Sequence, residues 1–310
     1  MEFSLAVQNY GRGTSPATLD ASGEAAESLG WRTLYLIDHP MVPRSGEPEY
    51  HETLEPLTSL AYLAGRFGRV RLATGVLVPP MRDAVLLAKE LATLDLLSGG
   101  RLIVGVGVGN QLDHGEYQNL GKEDRFGVRG AYLDETIALW RRLWAGSEAP
   151  FEGRFHLVRD FTFGPLPPQG ARMPIYAGGR SERALDRVSR LCDGLYSSRW
   201  GPTELRRRWP PVVERARANG RPRPALATRV RVRIGAPPDD RYSVCGTARE
   251  MVAQLLEFEE LGTDEFVAVL PATEAGDVRR EAERFAREVI APFREELAER
   301  RQLRRDEYSM

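Results

Sequence analysis

"RVRLATGVLVPPMRDAVLLAKELATLDLLSGGRLIVGVGVGN", residues 69–110, holds two apolar runs separated by one amphipathic run. The outer runs, 70–77 (VRLATGVL) and 101–108 (RLIVGVGV), have the length and composition of strands buried on both faces. Between them Asp83 supplies a helix start, and Val85, Ala88, Leu91 and Leu94/Leu97 form one stripe at helical period. Ser98-Gly99-Gly100 ends it. A strand, a helix and a second strand without a hairpin turn is the unit of a parallel sheet.

The same alternation runs outward in both directions. Strand patterns fall at 3–8, 33–37, 70–77, 101–108, 174–177, 194–197, 227–234 and 265–270. Helix patterns fall at 17–29, 55–66, 83–97, 128–144, 181–191, 203–218 and 247–261, and a charged eighth at 274–303. Eight alternations without a Gly-rich linker predict an α/β fold, a single (β/α)8 (TIM) barrel over residues 1–310. The doubly wound rival advertises GxGxxG after its first strand. Here that strand runs into "NYGRGTSP", and "VGVGVGN" (104–110) follows the fourth. Residues 146–173 read as a hairpin and Pro-rich connector inserted before strand five, and 38–54 and 111–126 as long loops. The arginine-rich tail from Glu295 reads as a solvated, fraying helix face.

Composition excludes several classes. A net charge of −1 gives no sign of a nucleic-acid partner. No apolar run is long enough to span a membrane, and "MEFSLAVQNYG" lacks a basic, then apolar, leader. Cys192 and Cys245 stand alone, in no metal-ligand spacing. A cytoplasmic protein holding no metal is expected.

Barrel chemistry sits at the carboxyl ends of the strands. Those ends read Gln8-Asn9, Asp38-His39, Thr74-Gly75-Val76, Gly107-Val108-Gly109-Asn110 and Gly178-Gly179-Arg180-Ser181. The last opens a helix, so its free N–H groups suit a phosphate. Taken alone it reads first as a tight turn capped by Ser181. Tyr10, Met41, Phe126, Trp200 and Trp209 are candidate pocket walls or plain core and surface residues. His51 and His114 stand on loops of the same rim, and His156 reads as structural.

Together, "LGWRTLYLIDH" (29–39), the 69–110 block, "MPIYAGGRSERALDRVSRLCDGL" (173–195) and "CGTAREMVAQLLEFEELGTDEFVAVL" (245–270) resemble the bacterial luciferase-like family of flavin- and deazaflavin-dependent enzymes. The nearest flavour is the actinobacterial subgroup that uses coenzyme F420. The resemblance implies an oxidoreductase and a homodimer. Gly178, Gly179, Arg180 and Ser181 would hold the cofactor phosphate, with Arg180 otherwise a solvent-exposed arginine. Gly75-Val76 falls where relatives carry a bulge with a non-prolyl cis peptide behind the ring; a β-bulge glycine is the alternative. Gly107, Val108, Gly109 and Asn110 would lie along the cofactor, although an amide at 110 departs from relatives that place an acid there. His39 matches the histidine set near the reactive carbon, with Asp38 orienting its loop; a loop-capping Asp-His pair is the plainer reading.

The expected activity is hydride transfer between F420 and a small organic substrate. The alternatives are an FMNH2-dependent monooxygenase fed by a flavin reductase, and a flavin carrier without turnover. A metal-dependent hydrolase would need an HxH pair after strand one, and a serine hydrolase a G-x-S-x-G elbow; neither occurs.

Overall fold

The computed structural model describes residues 1–238 and 242–308. Eight parallel strands close on themselves: β1 (Glu2–Ala6), β2 (Thr33–Leu36), β3 (Arg71–Thr74), β4 (Leu102–Val106), β5 (Ile175–Gly178), β6 (Gly194–Ser198), β7 (Ala225–Ile234) and β8 (Glu265–Val269). Each pairs with the next, and β8 returns to β1. The intervening helices are α1 (Pro16–Ser28), α2 (Pro56–Arg66), α3 (Ala84–Leu97), α4 (Arg129–Trp144), α5 (Glu182–Leu191), α6 (Pro202–Ala218), α7 (Ala248–Glu260) and α8 (Ala275–Phe285). The barrel predicted from residues 69–110 outward is thus the observed fold.

Register explains how the barrel fills. Three tyrosines point inward, and each has a small residue level with it on both flanking strands. Tyr35 lies between Ala6 and Ala73, Tyr176 between Gly105 and Gly194, and Tyr196 between Gly178 and Ala227. Alternating large and small side chains lets one layer close without voids. Below them the buried Glu265 carboxylate accepts hydrogen bonds from Ser4 and from Tyr35 Oη (2.8 Å). Outside the sheet, Phe3 packs edge-on against Phe285 and Phe293, and Trp140 and Trp144 of α4 are wholly buried.

Helix α3 shows why the 69–110 block folds locally. Asp83 accepts from the N–H groups of Val85 and Leu86, and Gly99 and Gly100 take φ of +69° and +82° as Gly100 N–H bonds Asp95 C=O. That close is open to glycine far more than to other residues. The buried stripe is Ala84, Leu87, Ala88, Leu91 and Leu94; Ala88, Leu91 and Leu94 fall on it as expected, while Val85 and Leu97 are exposed and Ala84 and Leu87 take the remaining places. A large-to-small change at Leu91 would cost about 2–5 kcal/mol.

Four segments differ from expectation. Ser243–Gly246 forms an additional strand parallel to β7, which at ten residues extends past the barrel rim. Residues 111–126 are not simply a loop but carry two short helices, His114–Asn119 and Glu123–Phe126. The helix expected over 274–303 is interrupted by a wide turn at Ala286–Ile290 before Ala291–Tyr308. Pro292 has no N–H to give the carbonyl four residues back, and its ring would strike it. The tail does not simply fray, since Arg300 and Arg301 bond Glu260 and Glu259 of α7 at 3.2 and 2.8 Å. The insertion does contain a hairpin, Phe151–Glu152 against Leu157–Val158. Among the described residues no helix is long and apolar enough to cross a membrane.

Candidate active site

The carboxyl ends of β2 to β7 surround a cavity of about 1430 Å³. Of the fifteen strand-end residues named from the sequence, the twelve expected at the site line it: Asp38, His39, Gly75, Val76, Gly107 to Asn110 and Gly178 to Ser181; Gln8, Asn9 and Thr74 do not. Its floor is built around Val76. The Gly75–Val76 peptide is cis, and a Cβ placed at Gly107 or Gly178 would lie 2.7 or 3.1 Å from a Val76 methyl. Glycines at the ends of β4 and β5 therefore leave the space that this isopropyl group fills. Under Gly75 lies the Tyr196 hydroxyl, 2.7 Å from where a Cβ would stand, buried and without a hydrogen-bond partner among the described residues.

On the β5 side, Gly179 has φ +132° and leads into α5. The Ser181 hydroxyl accepts from Ala184 N–H at 3.2 Å, so the capping role holds. The N–H groups of Glu182 and Arg183, ahead of any partner in the helix, find no acceptor among the described residues. An anion would meet them there. Arg180 is exposed and lies 3.8 Å from Glu204, while its carbonyl accepts from Arg208 at 2.6 Å.

On the β2 side, His39 Nδ1 lies 2.7 Å from Oε1 of the buried Glu116, and its ring stacks on Tyr50 at 4.3 Å and 14°. Nε2 is left as the nitrogen available to a ligand. Burial alone would lower the His39 pKa. The hydrogen bond to Glu116 and the charges of Glu116, Asp113 and Asp38 outweigh it and hold the pKa above its usual value. Burial in turn raises the Asp113 carboxyl, against the lowering effect of the Asn110 N–H. Asn110 is engaged with Asp113: its N–H donates to Asp113 Oδ2 at 2.8 Å, and its Oδ1 accepts from Leu112 N–H at 2.7 Å. Ligand atoms of His39, Asp113 and Glu116 lie within 4.8 Å of one another, but the contact between His39 and Glu116 is already a hydrogen bond.

Asp38 is sequestered below this group. Its carboxylate accepts two hydrogen bonds from Arg82, at 2.6 and 3.2 Å, and one from Val78 N–H at 3.1 Å. It therefore clamps the end of β2 to the segment after β3. None of Tyr10, Met41, Phe126, Trp200 and Trp209 lines the cavity; Trp200 and Trp209 are core and Met41 is exposed. His51 is exposed, His114 leans on Phe126 and Glu123, and His156 is buried against Thr136 at 2.8 Å, a structural place.

Sequence reading missed Tyr50, Asp113, Glu116, Tyr196 and Arg229, all lining the cavity. The six-residue helix carrying Glu116 is too short to show a period. Arg229 did leave a signal. In "ATRVRVRI" the arginines at 229, 231 and 233 share one face of a strand that a barrel buries on both sides.

A family model described as luciferase-like monooxygenase matches residues 1–243. An F420-dependent glucose-6-phosphate dehydrogenase of Microbacterium testaceum is 30% identical over 223 residues, 70% of this chain and 63% of its own. The F420-dependent tetrahydromethanopterin reductase of Methanopyrus kandleri superposes with a TM-score of 0.77 at 17% identity, over 94% of this chain and 99% of that one. The oxygenating constituent of a diketocamphane monooxygenase of Pseudomonas putida, solved with FMN, gives 0.75 at 16% identity, over 94% and 98%.

Proposed function

The chain belongs to the luciferase-like monooxygenase family, and on that premise we propose an oxidoreductase that uses coenzyme F420 for hydride transfer to or from a small organic substrate. The observation that carries the reading is the His39–Glu116 pair, a proton-holding group above a glycine-and-valine floor inside one cavity. When bound, the deazaflavin supplies two-electron hydride chemistry.

The residues fit such a group. The uncapped N–H groups of Glu182 and Arg183 suit its phosphate, and Gly179 lets the phosphate approach the backbone. Gly107 to Asn110 would run beside it, and Gly75-Val76 would back its ring. Arg129, Arg183 and Arg199 line the same cavity with no carboxylate partner among the described residues. That favours F420, whose glutamyl tail is acidic, over FMN. His39 Nε2 would give or take the proton that accompanies the hydride, with Glu116 fixing its tautomer through Nδ1. Asp38, engaged by Arg82, would hold the loop in place.

The test is a fluorescence titration of apo protein with F420 and, in parallel, with FMN. Tight binding of F420 alone is expected. Preference for FMN would replace this reading with a monooxygenase fed by a reductase, and binding of neither would overturn the role of residues 178–181. The reading includes a homodimer, which sedimentation velocity would check.

A further inference from the structure

We propose that the cavity contains a seat for an oxyanion of the substrate, a carboxylate or a phosphate, built on Arg229. Arg229 lies level with Ser198 and Val267, two residues along β7 from the inward-facing Ala227, and it lines the cavity. Among the described residues no carboxylate comes within ion-pair distance of it, its buried Nε finds no acceptor, and its one side-chain hydrogen bond is from Nη2 to the Tyr10 hydroxyl at 3.3 Å. Arginines that serve structure in this chain are met by strong acceptors: Arg82 by Asp38, Arg187 by Asp134, Arg141 by Asp193, and Arg101 by the carbonyls of Ala64, Val70 and Ser98, whereas Arg229 has only a tyrosine hydroxyl among the described residues. A guanidinium withdrawn from water and left unpaired is costly, and a cavity that exposes it to a ligand is where such a cost is offset.

The surroundings agree. The Tyr196 hydroxyl also finds no partner among the described residues and could donate to the same anion. Tyr10 packs against Tyr50 at 5.3 Å, and Tyr50 stacks on His39. Two aromatic rings thus link the guanidinium to the imidazole, so one small acid could place its oxyanion on Arg229 and its reacting carbon toward His39. This proposal rests on the function above only in assigning the anion to a substrate.

Calorimetric titrations with benzoate, inorganic phosphate and the neutral isostere benzamide, on apo and F420-loaded protein, test it. Wild type is expected to bind benzoate or phosphate at least tenfold more tightly than benzamide, and which of the two binds identifies the anion. Arg229→Met should lose at least tenfold of that affinity and Arg229→Lys less, with F420 affinity held within twofold in both. If the methionine variant does not fold, Arg229→Gln carries the same expectation. The proposal is overturned if wild type does not prefer the anion, if the variants bind it unchanged, or if F420 affinity falls at least tenfold in step. Because the apo arm needs no cofactor, a protein that binds the anion but not F420 would sink the proposed function and leave the seat standing.

Discussion

Replacing Glu116 by glutamine keeps the shape and an acceptor oxygen but removes the charge facing His39 Nδ1 at 2.7 Å. Hydrogen bonds with a charged partner contribute about 1.5–3 kcal/mol and neutral ones about 0.5–1.5. Glu116 is 2% exposed and His39 20%, so solvent screens the pair little. The folded pKa of His39 is raised above the unfolded one. The pair's stabilisation is therefore complete below the unfolded pKa and fades as pH rises through the folded one. E116Q should accordingly be less stable than wild type by the difference, about 1–1.5 kcal/mol at pH 5, the gap closing toward zero in mildly alkaline buffer. The chain has 4 histidines, few enough for imidazole resonances to be followed by NMR across pH. The His39 midpoint should fall in E116Q. An unmoved midpoint, or a stability gap that widens with pH, would refute the coupling.

Asp38→Asn leaves Arg82 without the carboxylate that holds it at 2.6 Å, and should cost about 3–5 kcal/mol in denaturant unfolding. A loss under 1 kcal/mol would mean Glu55, 3.1 Å from Arg82, suffices alone. Gly179→Asp puts a side chain into φ +132°, its Cβ 2.8 Å from Ala184 Cβ, and a negative charge beside the α5 N-terminus. Cofactor affinity should fall at least tenfold by calorimetry, and unchanged affinity would make 178–181 a plain helix cap. Gly105→Ala drives a Cβ to 1.9 Å from the Thr74 carbonyl oxygen, which is backbone and cannot swing aside. Its thermal stability should drop by about 3 kcal/mol or more, and a wild-type melting temperature would show that β3 and β4 can part.

What the sequence disclosed and what it hid separate on physical lines. The barrel was legible because parallel strands must be apolar on both faces and their helices on one, so 70–77, 83–97 and 101–108 announce themselves. The rim glycines were legible because tight turns and strand ends leave few other residue types possible. Glu116 and Asp113 were not: Glu116 acts from a six-residue helix too short to show a period and meets His39, remote in sequence, while Asp113 sits in the turn before that helix, held by Asn110. Pro210 and Pro211 inside α6 gave no break, yet Pro292 did reshape its helix; local chemistry alone does not decide which proline the surrounding packing accommodates.

Val76 has the glycines of two neighbouring strands beneath its methyls, and that makes the floor of the cavity a ratchet for sequence change. A methyl group cannot enter at Gly107 while the isopropyl group remains, since the two would stand 2.7 Å apart. Val76→Ala vacates the place, after which Gly107→Ala should be tolerated, the double variant losing less stability than the two single losses added. Substitutions in this floor are thus ordered by packing: the strand-three side chain must shrink before the fourth strand can grow at little cost.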